Sequence, residues 1–229
     1  KWDAEYRERK QLWQGPAHFD FELPDGNVLE IGCGNGKTLK AIAKRGKVTA
    51  IDVSPTAVKM CSIPGVKAMV ADVCEMPFED SDFDAVVAFH VLEHLLEVDR
   101  KKAVKEIKRV AKPGGRVFVR VFSTGDMRCG KGEEVEKNTF LRGQRKIFYH
   151  YFTVGELKEL MKGLEEKQLR VAQRKARYGG VEYTREKIEG EWQKRGSVGG
   201  SSDRTVIQKV RPYSRLTEPP VDGFGNGAV

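Results

Sequence analysis

No stretch of this chain is apolar for anything near the roughly 20 residues that a membrane-spanning helix needs. Apolar residues make up only 39% of its 229 positions. The four cysteines, Cys33, Cys61, Cys74 and Cys129, form no Cys-x-x-Cys pair and keep no regular spacing. That excludes a zinc-ribbon pattern and a disulfide framework, and it is the usage expected in a reducing cytoplasm. No secretory leader is visible, and the first residue is Lys1 rather than Met, so the start is expected to be trimmed. No internal repeat is present, and no segment reads as a separate RNA-binding module.

What is present is charge, unevenly spread. Residues 1–99 hold 11 Lys and Arg against 17 Asp and Glu; residues 100–229 hold 30 against 16. A basic second half suits an anionic partner such as RNA. A solvated, highly charged surface gives the same count, because charges spread along a sequence need not form a patch. The length fits one domain with a sizeable core.

The chain is organised around Asn27 to Lys37. Val28, Leu29 and Ile31 form a short apolar run that reads as a buried strand. It enters Gly32-Cys33-Gly34-Asn35-Gly36, and a helical pattern through Lys40–Ala43 follows. Glycines there permit a sharp turn and a close ligand, and the helix start offers free N–H groups. Dinucleotide enzymes space these glycines G-x-G-x-x-G to seat a pyrophosphate. Here the spacing is G-x-G-x-G, and Glu30 stands two residues before the first glycine. A carboxylate there repels a pyrophosphate and suits a ligand carrying a cation. S-adenosylmethionine (SAM) carries an ammonium and a sulfonium and no phosphate. At these residues the chain resembles the class I SAM-dependent methyltransferases of the type 11 kind.

Further motifs arrive in order. Lys47–Asp52 reads as a second strand whose final acid, 16 residues after Gly36, is placed to accept hydrogen bonds from ribose hydroxyls. Ser54 and Pro55 then cap and start a helix. Val66–Val73 reads as a third strand containing Asp72. Phe83–Phe89 reads as a fourth, entered by Phe-Asp-Ala-Val as in the resembled family. Arg100–Val110 is helical, Lys112-Pro113-Gly114-Gly115 stops it, and Arg116–Phe122 is a fifth strand. Leu169–Ala176 and Thr205–Val210 are expected to close the sheet as strands six and seven. Thr184–Lys194 is read as an inserted helix between them. The resemblance covers about residues 27–160. It implies a doubly wound, Rossmann-like α/β fold with a seven-stranded, mostly parallel sheet in the order 3-2-1-4-5-7-6 and strand seven antiparallel. The expected divisions are a helix and cap over 1–26, a methyltransferase domain over 27–211 with a 177–203 insertion, and a flexible tail over 212–229.

The resemblance also implies a site. SAM would be held by Glu30, Gly32, Cys33, Gly34, Asn35, Gly36, Asp52, Val53, Asp72, Val73, Phe89 and His90, with Asp72 at the adenine amino group. The N-terminal pattern of Trp2, Tyr6 and Trp13 is an amphipathic helix that would cover this pocket, or one that simply packs. His90-Val-Leu-Glu-His94 matches a zinc-protease pattern in letters, but His90 ends a strand, so no metal is expected. Candidate proton-handling residues are His90, His94, His150 and Tyr149. Residues 123–150 show no clean period and are expected to form an acceptor-site loop. Phe148–Phe152 is an aromatic cluster leading into Thr153-Val-Gly-Glu156, a capping box. Its Tyr-His-x-Phe pattern is similar to stretches in tRNA wobble-uridine methyltransferases and in small-molecule ones. A small-molecule acceptor is the first expectation and RNA the second. A non-catalytic SAM-binding subunit and an NAD-linked oxidoreductase stand behind them.

Overall fold

A computed structural model describes residues 1–9, 21–44 and 46–196. Its elements begin with α1 (Trp2–Arg9), β1 (Asn27–Ile31), α2 (Leu39–Ile42), β2 (Lys47–Asp52), α3 (Pro55–Met60), β3 (Val66–Val70) and β4 (Phe83–Phe89). A 3-10 turn (Leu92–His94), α4 (Glu97–Val110), β5 (Ala111–Phe122), β6 (Glu133–Glu136), β7 (Thr139–Arg142) and β8 (Ile147–His150) follow. The last are α5 (Val154–Leu160), β9 (Leu164–Tyr178) and β10 (Val181–Lys194).

Seven strands form one sheet in the order β3-β2-β1-β4-β5-β10-β9. The first five run parallel, and β10 and β9 close the edge antiparallel. This is the doubly wound order implied by the sequence. Strand order reverses between β1 and β4, so a crevice opens at their carboxyl ends. Both faces are covered. On one, Ala103, Val104, Ile107 and Val110 of α4 and Leu157 of α5 pack on Val86, Val117, Val119, Ile188 and Trp192. On the other, Leu39 and Ile42 of α2 pack on Val28, Val48, Ala85 and Phe118. Helix α4 forms because its apolar residues recur at helical spacing, with Glu97 and Asp99 at its positive end and Lys108 and Arg109 at its negative end.

Two expectations are corrected. Residues 123–150 are not an irregular loop, since β6, β7 and β8 form a separate three-stranded antiparallel sheet. Its strands are four residues each, too short for alternation to stand out. Thr184–Lys194 is no helix either: it belongs to β10, the seventh strand. Gly179 and Gly180, both at positive φ, make a two-residue turn, with Tyr178 facing Val181 across it. The Thr205–Val210 strand, most of the 177–203 insertion's end and the 212–229 tail lie outside the described residues.

An ion cluster hid the period of β10. Glu189 faces Arg120 of β5 on one side and Arg170 of β9 on the other. Its carboxylate lies 2.7 Å from Arg120 Nε, 2.6 Å from Arg170 Nη2 and 2.8 Å from Lys187 Nζ. Burial pushes its pKa up, but Arg120 and Lys187 outweigh that and hold it near about 2. Over residues 188–192 both faces of β10 are therefore buried, one by Ile188 and Trp192 and one by charges that read as solvent-facing. Trp192→Ala should cost about 3–5 kcal/mol in a denaturant melt by emptying the core under α4 and α5. A loss below about 1 kcal/mol would mean that Trp192 does not anchor a sheet strand.

Candidate functional site

The glycine loop follows β1 at the crevice. Gly32, Gly34 and Gly36 take φ of 70°, 53° and 76°, a region that favours glycine. The N–H groups of Gly32 and Cys33 both donate to the Ile51 carbonyl, at 2.8 and 3.1 Å. Asp52, at the end of β2, fixes the loop from below. Its Oδ2 accepts from Gly34 N at 2.9 Å and its Oδ1 from Ser54 N at 2.8 Å. Burial raises the Asp52 pKa, and those two amides oppose the rise. Cys61 Sγ lies 3.3 Å from the Gly34 carbonyl oxygen, and Cys33 is buried beside the loop.

Glu30 is buried, and its Oε2 has no hydrogen-bond partner among the described residues. Burial first, then the neighbouring Cys61 and Asp52, push its carboxyl well above the usual value. An orphaned carboxylate beside a second acid is stabilised by a cation, and SAM brings one. Asp52 keeps lone pairs for hydroxyls, while a Cβ at Gly32 would strike the Val91 side chain, so that glycine is required by packing as well as by its backbone. The residues present fit SAM. Elsewhere along the rim, Asp72 is exposed, with Oδ1 accepting from Cys74 N at 2.8 Å. Val73 and Phe89 are buried, and Val53 is exposed.

At the end of β4, His90 takes a φ of 59° and donates its backbone N–H to the Arg120 carbonyl. Its Nδ1 lies 2.6 Å from Glu93 Oε1, and its ring packs 4.8 Å from Phe122. Burial, then Arg120, Lys187 and Arg128, hold His90 well below its usual pKa. Glu93 is fully buried and pushed up to about 7 by that burial. His94 donates from Nδ1 to the Phe148 carbonyl at 2.8 Å, with Trp2 and Tyr149 set edge-on to its ring at 4.6 and 5.0 Å. Tyr149 therefore belongs to the cleft wall with His90 and His94.

His150 does not join them. Its buried ring spends Nδ1 on Thr139 Oγ1 and Nε2 on Glu156, both at 2.8 Å. It ties β7 to α5 and has no nitrogen left for an acceptor. For the same reason the capping box is half made: Thr153 Oγ1 accepts from Glu156 N, but the Glu156 carboxylate goes to His150. Among the described residues no group of three or more His, Cys, Asp and Glu is placed to hold a metal.

Helix α1 lies across the cleft. Asp3 Oδ1 accepts from Ser54 Oγ and Thr56 N at the start of α3, at 2.8 and 2.9 Å. Glu5 pairs with Arg145 at 2.9 Å, and Lys1 Nζ donates to the Lys146 carbonyl. Trp13 lies outside the described residues. Two further residues carry no motif in the sequence. Asp126 and Arg128, two apart after β5, are paired at 2.9 Å by the turn that follows that strand, with the Arg128 guanidinium over the Phe122 ring.

Known proteins agree with this geometry. Residues 29–119 match the family described as a methyltransferase domain. The tRNA (carboxymethyluridine(34)-5-O)-methyltransferase of Arabidopsis thaliana is 40% identical over 113 residues, 48% of this chain and 28% of that protein. An uncharacterized protein of Methanocaldococcus jannaschii is 30% identical over 154 residues, 66% of this chain and 69% of that one. The crystal structure of a SAM-dependent methyltransferase from Methanosarcina mazei superposes with a TM-score of 0.62 at 26% identity, over 76% of this chain and 94% of that one. The chain belongs to the class I SAM-dependent methyltransferase family. It spans little more than a quarter of the Arabidopsis relative.

Glu30 gives the site a pH signature. A cation beside it lowers its pKa again, so binding releases a proton. Affinity then rises with pH until Glu30 is ionised in the free protein. Calorimetry in buffers of different ionisation enthalpy should show proton release with SAM and tighter binding at about pH 8 than at about pH 5. Glu30→Gln should abolish the release and weaken binding by about 1.5–3 kcal/mol. A parent affinity independent of pH, with no proton released, contradicts the pairing of Glu30 with the ligand's cation.

Proposed function

We propose that this domain transfers a methyl group from SAM to a base of RNA. SAM supplies an electrophilic methyl group on a sulfonium, which leaves as a neutral thioether. The chain's own work is to hold the donor on Glu30, Asp52 and the glycine loop, to cover it with α1, and to bring an acceptor into line with it.

One observation carries the RNA reading. The outer half of the β9–β10 hairpin runs past the end of β5, since Lys187 is paired with Phe122, the last residue of that strand. It stands on the carboxyl edge of the sheet, the edge that holds the glycine loop. Cross-strand pairing sets Arg170, Arg174, Arg185 and Lys187 on one face of this arm. Arg174 and Arg177 have no acidic partner among the described residues. At the tip, Tyr178 and Tyr183 present rings 6.1 Å apart, and Tyr178 is exposed. Guanidinium groups with nearby aromatic faces suit phosphates and unstacked bases. The similarity to a tRNA methyltransferase supports the same reading. The arm is what moves RNA ahead of a small molecule.

A second reading rests on the His90–Glu93 pair. Above about pH 7 Glu93 is ionised and accepts a hydrogen bond from His90 Nδ1–H, which fixes the neutral tautomer whose Nε2 is free to act as a base. A small hydroxylated metabolite would need such a base. A carboxylate or a ring nitrogen with a free lone pair would not.

The test is methyl-labelled SAM with total tRNA, read together with binding at two salt concentrations. Affinity should fall between about 50 and 200 mM salt, by roughly 0.9 log units per log of salt for each duplex phosphate contacted. Neutralising Arg174 and Arg177 should reduce that slope. Incorporation should appear at one nucleoside. Salt-sensitive binding without incorporation contradicts the RNA reading, and a turnover rate that climbs through about pH 7 on a hydroxylated metabolite favours the second.

A further inference from the structure

We propose that Cys33 and Cys61 form a reversible disulfide that closes the glycine loop to SAM. The proposal rests on the SAM reading of that loop and holds whichever acceptor is methylated.

Two thiols far apart in sequence meet beneath the loop. Cys33 lies between Gly32 and Gly34, and Cys61 is the residue that ends α3. Both are buried, in the core that Val28, Leu39, Ile42 and Ala50 build on this face of the sheet. Cys61 Sγ lies 3.3 Å from the Gly34 carbonyl oxygen and 4.0 Å from that of Cys33. A Cβ at Gly36 would stand 3.5 Å from the same sulfur, so Cys61 underlies the loop from Cys33 to Gly36. The two thiols share a hydrogen bond. That bond pushes the Cys33 thiol above its usual pKa and draws Cys61 below its own. Cys61 is therefore the sulfur that ionises first, and Cys33 keeps its proton. The other cysteines stand apart. Cys74 Sγ lies 3.5 Å from the Asp99 carbonyl oxygen, and Cys129 packs with Phe122, Phe140 and Tyr151.

The oxidant is a peroxide. The Cys61 thiolate attacks one peroxide oxygen, the O–O bond breaks, and the hydroxide released takes up the Cys61 proton as water. The Cys33 sulfur then attacks the sulfenic acid on Cys61. The S–S bond forms, the S–O bond breaks, and the hydroxyl leaves with the Cys33 proton as a second water. A dithiol reductant reverses the step by exchange.

An S–S bond of about 2.05 Å is far shorter than a hydrogen bond between thiols. Closing it pulls Cys33 toward α3 and removes the S–H that Cys61 gives to Gly34. The Gly32 and Cys33 amides on Ile51 and the Gly34 amide on Asp52 belong to the same backbone. Glycines at positive φ on both sides of Cys33 let that backbone turn. The loop then leaves the shape that meets SAM. Linkage makes the effect reciprocal: SAM on the reduced loop opposes oxidation by the factor that the disulfide weakens SAM.

The probe is S-adenosylhomocysteine, titrated into the full chain reduced and again after hydrogen peroxide. The oxidised chain should be lighter by two hydrogens, with the peptides holding Cys33 and Cys61 joined. It should bind the probe about tenfold or more weakly, and a dithiol should restore the affinity. Saturating probe should raise the reduction potential of the pair by about 30 mV for each tenfold. Cys61→Ser, which keeps a hydroxyl for Gly34, should hold its affinity through the same treatment. If that variant binds poorly even when reduced, the parent's potential decides, and a value unmoved by the probe overturns the switch. No joined peptide, or an oxidised parent that binds as the reduced one does, overturns it as well. A reduced parent with no affinity for the probe would contradict the SAM site itself, and the switch with it.

Discussion

The site depends on one buried carboxylate. Asp52 sits where β2 ends and spends one oxygen on the Gly34 amide and the other on the Ser54 amide. With those two bonds it pins the glycine loop to the start of α3, two segments that no strand pairing joins. Burial works against its ionised form, and the amides offset part of that. The same start of α3 receives Asp3 of α1, so α1 and the glycine loop are anchored to one segment. Glu30, one strand over and unpartnered, is the part of this acid pair left for a ligand.

Charge does different work at the two ends of the crevice. Acids sit at the glycine-loop end, at Glu30 and Asp52. Cations sit at the other, where burial first and then Arg120, Lys187 and Arg128 hold His90 below its usual pKa. A cationic donor and an anionic acceptor would each meet the opposite charge, and the two would be drawn toward one another across His90. The β9–β10 arm extends the basic end outward. Its inner part is fixed by the Glu189 cluster, which lets an outer part with few core contacts keep a defined direction.

The sequence was most legible where one residue type has few alternatives. Glycines at three positive-φ positions, an acid before them and an acid ending the next strand made the strand-loop-helix unit at the head of the sheet legible. Strands β1 to β5 and helix α4 were visible from their apolar spacing. Legibility failed where burial was polar. Glu189 and Glu191 in β10 read as one side of a solvated helix, because nothing local shows that Arg116, Arg120 and Arg170 lie opposite them. Gly179-Gly180 was the local sign of a hairpin there. His150 looked like a cleft residue from its aromatic neighbours. Its alternation within β8 turns it to Thr139 and Glu156 instead, while Tyr149 faces His94. Arg128 carried no signal at all, since its pairing with Asp126 and its packing on Phe122 come from a turn that only the fold assembles.

The central claim is that the acid pair and the glycine loop receive a cationic, phosphate-free nucleoside. Calorimetry on the parent protein with SAM, S-adenosylhomocysteine and NAD tests it most directly. The account expects SAM and S-adenosylhomocysteine to bind at one site, each displacing the other, and NAD to give no heat. Binding of NAD with no binding of SAM would contradict it.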